Sequence, residues 1–437
     1  MKEKIKVAYV GLGRRGTNML KEALVKMNDV EIVMLCDIEE AKLIRAKKII
    51  EDRGRVVPVL TTNYQDVLEN DEIDAVFLFT NWNNRVSMAK SAMLAKKYTA
   101  IEVGCAANLE ECFELVEIYE KTGVPVMMME NICYGKRELM AFNMVKQGLF
   151  GEVVHCDGGY GHYLNKCELF LEMIKGEEKQ TDTVSHYRLA HYINGNCENY
   201  PTHALGPISK CLGINRGNRM VTLSSFASKS RGLKQFAKDK FGEDNKYAKT
   251  DYKQGDIVTT VITCANGETI RLTLDTTLPR PFYSRMYSIR GTKGMSLEDS
   301  RVFYTDDMQG EIRDNEDEMF KKYGHPLHKE VEKYETEESK IKEGFGLHAD
   351  GVDWIIFRAF IESVKNNTNT PIDAYDTAAW LAIGPLSRKS IENGGQPVEI
   401  PDFTNGKWKN REPFIKSKYC LDEVIIDDSI GIYDSLN

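Results

Sequence analysis

A glycine-rich turn follows the first apolar run of the chain and limits the folds open to it. The apolar residues Ile5–Val10 lead directly into Gly11-Leu12-Gly13-Arg14-Arg15-Gly16, which has the pattern G-x-G-x-x-G. Between a strand and a helix this pattern predicts a dinucleotide site. Gly11 permits the tight turn, Gly13 lets the backbone approach a pyrophosphate, and Gly16 lets the helix pack closely on the strand. The N–H groups at the start of the helix are then available to the phosphates.

An acidic residue at the end of the second predicted strand indicates which dinucleotide is bound. Asp37 stands 21 residues after Gly16, where a carboxylate can accept hydrogen bonds from the adenosine ribose and repels a 2′-phosphate. NAD is therefore favoured over NADP. Arg14 and Arg15 keep NADP as the alternative, because a nearby arginine can hold the extra phosphate.

The first 130 residues alternate short apolar runs with helical patterns. The predicted strands cover residues 5–10, 31–36, 75–80, 99–103 and 124–129, and the predicted helices cover 18–27, 39–52, 85–95 and 109–119. Short, continuously apolar strands joined by helices predict a parallel sheet that is covered on both faces. We therefore expect residues 1–130 to form an α/β Rossmann domain with a doubly wound parallel sheet.

The remaining residues, 131–437, follow a different rhythm. A helix is predicted over 136–147 and strands over 152–158, 221–228, 256–264, 268–278 and 283–290, with a hairpin turn at Asn266-Gly267. Residues 306–344 are densely charged and lack periodicity, which predicts a solvated segment. With helices over 352–365 and 377–393 closing the fold, we expect an α+β substrate domain with a large, mainly antiparallel sheet.

Charge and cysteine spacing exclude several kinds of partner. The chain has 58 Lys+Arg against 66 Asp+Glu, a net charge of -8, whereas nucleic-acid binding favours a basic surface. No apolar run approaches the ~20 residues that span a bilayer. The first residues, MKEKIKVAYVGLG, enter a strand pattern at once and do not resemble a signal segment. A cytoplasmic location is expected, with the periplasm as the alternative if a signal has been removed. The ten cysteines contain no Cys-x-x-Cys pair, so neither a metal site nor a disulfide framework is expected.

Further residues follow predicted strands at positions where a cofactor should lie. Ligands of open α/β sheets bind at the carboxyl ends of the strands. Five residues occupy such positions here: Trp82, Arg85, Glu102, Val103 and Asn131. For Trp82, a lid over the core is an equal alternative.

The motif Tyr200-Pro201-Thr202-His203 is the leading candidate for catalysis in the second domain. It precedes a predicted helix over 208–212, with Thr202 as the candidate cap. His203 suits proton transfer because its ordinary pKa is near neutrality, and Tyr200 could reach the same substrate hydroxyl. The alternative for the motif alone is a capping and packing role.

Other polar groups have weaker individual claims. Tyr160 follows two glycines that would let a ligand approach the strand, and Arg188 could clamp an amide or hydroxyl oxygen. The aromatic pair Phe282-Tyr283 could form a wall for a sugar. A polar cluster of His348, Asp350 and Asp353 precedes a predicted helix.

The nucleotide motifs resemble those of a known superfamily. The glycine pattern, Asp37, Glu102-Val103 and an α+β second domain are similar to the oxidoreductases related to glucose–fructose oxidoreductase and inositol dehydrogenase. That superfamily usually has a Glu-Lys-Pro turn, whose lysine assists hydride transfer, and an Asp four residues before the catalytic His. Here Glu102-Val103-Gly104 has no lysine and Asn199 takes the place of the Asp. A plain sugar-alcohol dehydrogenase is therefore less well supported.

A narrower resemblance covers nearly the whole chain. Residues 130–134, 147–152, 158–160, 200–207, 214–217, 276–281, 291–294 and 401–403 are together similar to glycoside hydrolase family 109, the NAD-dependent α-N-acetylgalactosaminidases. That family tends to have Pro-Trp-x-x-His where this chain has Asn81-Trp82-Asn83-Asn84-Arg85. The difference falls beside the expected nicotinamide.

The resemblance implies hydrolysis by way of oxidation. Tightly held NAD⁺ would oxidise the sugar C3 hydroxyl, and loss of the acidified C2 proton would expel the aglycone from C1. Water would then add, and the resident NADH would reduce C3 again. NAD-dependent families are exceptions to the paired-carboxylate mechanism of ordinary glycosidases.

The resemblance also implies roles for individual residues. Cofactor contacts would fall on Arg14, Arg15, Asp37, Trp82, Arg85, Glu102, Val103 and Asn131. Substrate contacts would fall on Tyr160, Arg188, Tyr200, Thr202, His203 and Tyr283, with Phe282 as the alternative to Tyr283. His203 would take the C3 hydroxyl proton, and Tyr160 or Tyr200 would handle the C2 proton or the leaving group.

Two other functions compete with the glycosidase. An NAD-dependent sugar dehydrogenase is suggested by the fold and the cofactor motif. A non-catalytic NAD-binding sensor is suggested by the altered turn at Trp82–Arg85. In each case the expected partner is a small carbohydrate, and a homo-oligomer is expected.

Overall fold

The first domain is built on a parallel six-stranded sheet. In the computed structural model, which describes residues 4–176, 186–308, 314–331, 351–411 and 417–425, the strand order is β3-β2-β1-β4-β5-β6. The strands are β1 (Ile5–Val10), β2 (Val30–Cys36), β3 (Val59–Thr61), β4 (Ala75–Leu78), β5 (Tyr98–Ile101) and β6 (Val126–Met128). The chain reverses its direction of winding between β1 and β4, and this places a ligand crevice at their carboxyl ends. The predicted α/β Rossmann fold is confirmed.

Five helices from the same part of the chain lie against this sheet. They are α1 (Arg14–Glu22), α2 (Glu40–Asp52), α3 (Tyr64–Glu69), α4 (Trp82–Leu94) and α5 (Leu109–Thr122), with a 3-10 turn at Leu24–Lys26. The sequence analysis missed β3 and α3. The strand is only three residues long and the Val59 side chain is 60% exposed, so this edge strand has no continuous apolar run.

The second domain carries an eight-stranded sheet in the order β13-β12-β11-β7-β10-β9-β8-β14. Neighbours are antiparallel except for β7 and β10, which are parallel. The strands are β7 (Val153–Gly161), β8 (Met220–Ala227), β9 (Ile257–Cys264), β10 (Thr269–Asp275), β11 (Ser288–Gly291), β12 (Gly294–Leu297), β13 (Val302–Thr305) and β14 (Val398–Glu399). The predicted α+β domain with a mainly antiparallel sheet is confirmed.

The described helices of the second part of the chain lie around this sheet and on the first domain. They are α6 (Lys136–Lys146), α7 (Leu171–Lys175), α8 (Tyr187–Asn194), α9 (Thr202–Cys211), α10 (Gly232–Phe241), α11 (Lys246–Lys249), α12 (Glu316–Tyr323), α13 (Pro326–Val331), α14 (Val352–Asn366), α15 (Ala374–Leu381) and α16 (Ile383–Glu392). Short 3-10 turns occur at Asn131–Tyr134 and Lys407–Asn410, and a π-helix at Asn165–Leu169.

Four local predictions for the second domain are wrong. In the segment predicted as solvated, the described residues 314–331 contain α12 and α13, which bury Met319, Phe320 and Leu327. Residues 309–313 and 332–344 of that segment lie outside the described residues. The predicted helix over 377–393 is two helices, α15 and α16. Helix α9 begins at Thr202 rather than near residue 208, and the strand predicted over 283–290 begins only at Ser288.

The C-terminal helices return to the first domain. Phe357 and Phe360 of α14 pack against Phe77 of β4, with ring centroids 4.8 and 5.1 Å apart from it. In α15, the Thr377 hydroxyl accepts a hydrogen bond from the backbone N–H of Met128 in β6, at 3.3 Å. The start of α14 is thereby held beside the crevice of the nucleotide sheet.

The described parts of the chain contain no helix that is long and apolar enough to cross a membrane. The ten cysteines are free thiols, and all but Cys167 are buried.

Candidate active site

The glycine turn has the shape that a pyrophosphate needs. Gly11 has a φ of +92°, and a Cβ on it would lie 2.5 Å from the Phe79 carbonyl oxygen; a Cβ on Gly16 would lie 2.1 Å from the Gly11 oxygen. Gly13, which precedes α1, has nothing within 4 Å of its Cβ position and supplies no side-chain cap. The first N–H groups of α1 therefore face an open concavity that suits an anion.

Asp37 lies at the end of β2, where the adenosine ribose of a dinucleotide would be. The carboxylate is 8% exposed and accepts hydrogen bonds from the backbone N–H groups of Leu12 at 2.6 Å and Glu39 at 3.0 Å. The next side chain, Ile38, is 87% exposed. An apolar group left in solvent beside the ribose position offers a surface to an adenine ring, and sequence reasoning missed it.

Neither arginine of the glycine turn is directed at Asp37. Arg14 donates a hydrogen bond to the Cys167 carbonyl at 2.7 Å. Arg15 forms a bidentate pair with Asp353 at 2.7 and 3.0 Å and lies 3.5 Å from Glu102 at the end of β5. Burial lowers the pKa of Arg15, but the carboxylates of Asp353 and Glu102 raise it above its ordinary value. Because β5 and β2 lie on opposite sides of β1, this geometry favours NAD over NADP.

Arg85 holds the strand ends together. Its guanidinium donates to the carbonyl oxygens of Thr80, Glu102 and Val103, at 2.6 Å for the first and 2.7 Å for the second. Burial lowers its pKa. A role for Arg85 in direct cofactor contact stays a prediction, and the role seen here is to join the turn after β4 to the turn after β5.

Trp82 is buried at the start of α4 and forms a wall between the two domains. Its ring contacts Tyr187, His191 and Tyr200 at centroid distances of 5.6, 5.1 and 6.0 Å. A Cβ on Gly104 would lie 2.3 Å from the indole nitrogen, so the turn after β5 can approach the ring only because residue 104 is glycine.

Asn131 follows β6 and has a fixed orientation. Its amide nitrogen donates to Asp353 at 2.7 Å, so the amide oxygen must point the other way. That oxygen is buried and has no hydrogen-bond partner among the described residues. A buried acceptor without a partner is costly, and a ribose hydroxyl or a carboxamide N–H of the cofactor would satisfy it.

A Glu–His pair stands at the same edge of the sheet. Glu130 lies two residues after the end of β6, and its Oε1 lies 2.7 Å from His203 Nδ1. The same oxygen accepts the N–H of Ile132 at 3.1 Å. Glu130 is fully buried, and its Oε2 has no partner in the described ranges. A carboxylate on Nδ1 fixes the tautomer and the orientation of the ring, as in other acid–base pairs.

Two tyrosines contact the His203 ring, and a third tyrosine contacts one of these two. The rings of Tyr160 and Tyr200 are stacked at 4.2 Å, and they lie 5.5 and 4.9 Å from the imidazole. Tyr283 contacts Tyr160 at 6.0 Å, whereas Phe282 is 55% exposed, so the geometry favours Tyr283 as the wall. Burial raises the pKa of both Tyr160 and Tyr200 well above the ordinary value, and these phenols are neutral at physiological pH.

Arg188 lies between two aromatic rings. The guanidinium carbon is 4.9 Å from the Trp82 ring and 4.7 Å from the Tyr200 ring, and Nε lies 2.9 Å from Glu168. Burial lowers the pKa of Arg188, but Glu168 more than reverses this. The guanidinium therefore stays charged, with its orientation set by the rings and the carboxylate.

The structure differs from the sequence predictions at Thr202 and adds His162 to the site. Thr202 is not the helix cap, since the N-cap of α9 is Pro201; the Thr202 hydroxyl is buried without a described hydrogen-bond partner. His162, which the sequence analysis missed, lies 3.0 Å from the Tyr160 hydroxyl through Nδ1, and burial lowers its pKa to about 4. Of the predicted polar cluster, Asp353 lies in the first turn of α14 and reaches the site, while His348 and Asp350 lie outside the described residues.

Some of the site residues that the sequence analysis missed could have been predicted from the sequence, and others could not. Glu130 follows a predicted strand and could have been found by the strand-end rule that selected Asn131. His162 could have been found because it is two residues from Tyr160. Glu168 had no local signal, because it reaches the site from a distant part of the chain. Asp353 was singled out in the polar cluster, but its pairing with Arg15 and Asn131 could not be predicted locally.

Fold and site together define an oxidoreductase-type architecture with an NAD-binding domain. Residues 5–130 match the oxidoreductase family with an NAD-binding Rossmann fold, and residues 134–410 match the C-terminal domain of glycosyl hydrolase 109. An NAD-binding oxidoreductase of Klebsiella pneumoniae has the same fold, with a TM-score of 0.65 at 14% identity, covering 92% of this chain and 100% of that one.

Closer relatives are glycosidases. An α-N-acetylgalactosaminidase of Tannerella forsythia is 38% identical over 94% of this chain and 88% of its own length. One of Bacteroides fragilis is 34% identical over 93% of each chain. The chain belongs to glycosyl hydrolase family 109 and is a glycosidase.

Proposed function

We propose that this enzyme releases terminal α-linked N-acetylgalactosamine by a route in which the sugar C3 is transiently oxidised. The observation that carries the proposal is the pair of Glu130 and His203, 2.7 Å apart at the carboxyl end of β6. Oxidation of a hydroxyl needs a base for the oxygen-bound proton beside the group that accepts the hydride. The Glu130–His203 pair lies at the edge of the nucleotide-binding sheet, where such a base would be beside the cofactor.

The residues of the first domain fit NAD. The glycine turn would hold the pyrophosphate, Asp37 the adenosine ribose, and the buried oxygen of Asn131 a donor group on the nicotinamide side. When bound, NAD supplies a reversible acceptor for the hydride of the sugar C3.

His203 is proposed to take the C3 hydroxyl proton. Because Glu130 engages Nδ1, proton exchange with the substrate is assigned to Nε2. The Glu130 carboxylate stabilises the imidazolium that forms, and it keeps the ring from rotating away from the sugar. The same pair would return the proton when C3 is reduced.

Tyr160 and Tyr200 are proposed to serve the elimination. A ketone at C3 makes the C2 proton acidic, and its loss breaks the C1–O bond to the aglycone. Neutral phenols are donors, and this suits protonation of the leaving oxygen. The C2 proton would pass through the Tyr160 hydroxyl to the neutral ring of His162, whose Nδ1 lies 3.0 Å away. When water adds at C1, this proton would return to C2, and a proton of the water would restore the phenol that protonated the leaving oxygen. Arg188 would clamp the acetamido oxygen.

The assay that tests this route uses a chromogenic α-N-acetylgalactosaminide. We expect release of p-nitrophenol without net NADH, and incorporation of deuterium at C2 when the reaction runs in D₂O. Complete retention of the C2 hydrogen would overturn the redox route. Stoichiometric NADH with a free sugar would instead identify a dehydrogenase. NAD that copurifies should be measured after denaturing extraction.

Glu130→Gln tests the acid–base pair. The amide preserves the shape but loses the charge that stabilises the imidazolium, so we expect kcat to fall by about 10²-fold or more, with little change in KM. Glu198→Gln is the matched control. Burial raises the pKa of Glu198 to about 8, so at pH 7 the native side chain is mostly the neutral acid that glutamine imitates, and kcat should stay within about twofold. Equal losses in the two variants would contradict the assigned pair.

A further inference from the structure

A second pocket lies behind Trp82, between the two domains. It is small, with room for one small polar group rather than for a larger organic ligand. Its lining includes Trp82 and Asn83 of α4, residues 105–107, His191 and Arg388. Its lining does not include the tyrosines, His203 or Arg188 that are proposed to contact the sugar.

The pocket has a cation that no lining acid neutralises. Arg388 of α16 lines it, and its buried Nε has no hydrogen-bond acceptor among the described residues. The guanidinium reaches the Cys197 thiol, a weak acceptor. None of the lining residues is a carboxylate. A buried guanidinium N–H without an acceptor is costly unless a ligand supplies one.

Two further nitrogens in the walls have no described partner. His191 Nε2 and the indole N–H of Trp82 are both buried and unbonded within the described ranges. Burial lowers the pKa of His191, and the charges of Arg388 and Arg188 lower it further. The two arginines place positive charge near His191.

The first turn of α4 adds to this positive charge. Asn81 caps the helix by accepting the N–H of Asn84 at 3.2 Å, while the N–H groups of Trp82 and Asn83 have no acceptor within the helix. The positive end of the 13-residue helix therefore faces the pocket.

The neighbouring acid does not cancel this charge at neutral pH. Glu198 adjoins Cys197 in the chain and is 1% exposed. Burial raises its pKa to about 8, so it is mostly uncharged at pH 7. The local balance of charge is positive.

We propose that this pocket binds an oxyanion group, the carboxylate or phosphate of a small ligand, with Arg388 as its main contact. A planar guanidinium pairs with two oxygens of either group. The N–H groups at the start of α4 and the nitrogens of His191 and Trp82 supply the remaining donors. The site is separate from the cofactor and sugar positions, and it shares one wall with them through the Trp82 ring.

The test is direct binding to the NAD-saturated protein at low chloride. Inorganic phosphate and acetate are titrated separately by calorimetry, and we expect saturable binding of at least one. The tighter of the two identifies the source of the oxyanion. Because binding is measured rather than turnover, the result does not depend on the proposed redox route.

Two variants address the pocket and one controls for charge. Arg388→Gln removes the main contact, and Asn83→Asp places a carboxylate at the pocket; each should weaken binding by about tenfold or more. A new acid in the first turn of a helix is stabilising, so Asn83→Asp should fold. Lys389→Gln removes one positive charge from the exposed neighbouring position and should leave binding unchanged. Absence of saturable binding by the native protein, or unchanged binding in both pocket variants, would overturn the proposal.

Discussion

Glu130 and Glu198 are both buried carboxyl groups near the proposed active site, but they have different hydrogen-bond partners. This difference determines whether each group is charged. Glu130 has the imidazole of His203 at 2.7 Å. Glu198 is equally buried, yet its Oε1 accepts only the Tyr200 N–H at 3.3 Å, and its Oε2 has no described hydrogen-bond partner. A lone buried carboxyl group prefers its neutral form, because burial penalises the charge.

The pH dependence of stability should reveal this difference. The Glu198 pKa is raised from 4.5 to about 8 on folding. The group therefore contributes stability that is fully present below the unfolded pKa and is lost as the pH rises through about 8. Glu198→Gln removes the ionisation. We expect the difference in melting temperature, variant minus native protein, to increase as the pH is raised from 5 to 8.5.

Taking the difference between two proteins removes the contributions of other groups. Burial lowers the pKa values of His162 and His186 to about 4. Both histidines therefore decrease the stability of the folded protein as the pH falls, and they do so equally in the native protein and the variant. If the difference in melting temperature were flat over this range, Glu198 would be ionised in the folded protein.

At the scale of the elements, the sequence predicted features formed by neighbouring residues and missed contacts between residues far apart in the chain. The turn at Gly11–Gly16 could be predicted with its function because a strand, three glycines and a helix lie within one short stretch. The pair of Glu130 and His203 spans 73 residues and forms only when α9 packs against the end of β6. Charge density misled at residues 306–344, because α12 buries Met319 and Phe320 while exposing acids and lysines on its other side.

Helix α14 shows how far such assembly reaches. It follows about 220 residues after the first domain ends, yet its aromatic face completes the packing of the nucleotide sheet. The Phe357 ring is stacked on Phe77 at 4.8 Å and on Phe79 at 5.9 Å. No local pattern identifies the partner of this face, because the helix is apolar enough to pack on either sheet.

Phe357→Ala should therefore destabilise the first domain as well as the helix. Removal of a fully packed phenylalanine costs about 3–5 kcal/mol, and we expect a lower melting temperature with earlier loss of bound NAD on heating. Phe282→Ala is the control, since that ring is 55% exposed and its loss should cost less than about 1 kcal/mol. Similar midpoints for the two variants would show that α14 does not support the sheet.

At the scale of the whole molecule, residues from the second part of the chain contact the proposed cofactor site. Arg14 and Arg15 of the glycine turn bond to Cys167 and Asp353, both outside the first domain. Asp353 also orients Asn131 at 2.7 Å. The carboxylate thus fixes two side chains around the expected cofactor at once, and charge-assisted pairs of this kind are stronger than neutral ones.

Asp353→Asn should weaken cofactor binding through this arrangement. The amide keeps the volume but cannot hold two guanidinium N–H groups and the Asn131 amide in their present geometry. We expect the dissociation constant of NADH, measured by its fluorescence, to rise about tenfold. NADP should stay excluded, because the released Arg15 lies on the β5 side of the sheet and not beside Asp37.

A second ion pair of the same helix provides the control. Arg358 of α14 forms a bidentate pair with Asp29 at 2.7 Å, and Lys365 joins it at 2.8 Å. Asp29→Asn breaks this link between α14 and the first domain just before β2, away from the glycine turn. It should lower the melting temperature while leaving the affinity for NADH unchanged. If both variants lost affinity equally, docking of α14 as a whole would control the cofactor site; a loss confined to Asp353→Asn would assign that control to the contacts with Arg15 and Asn131.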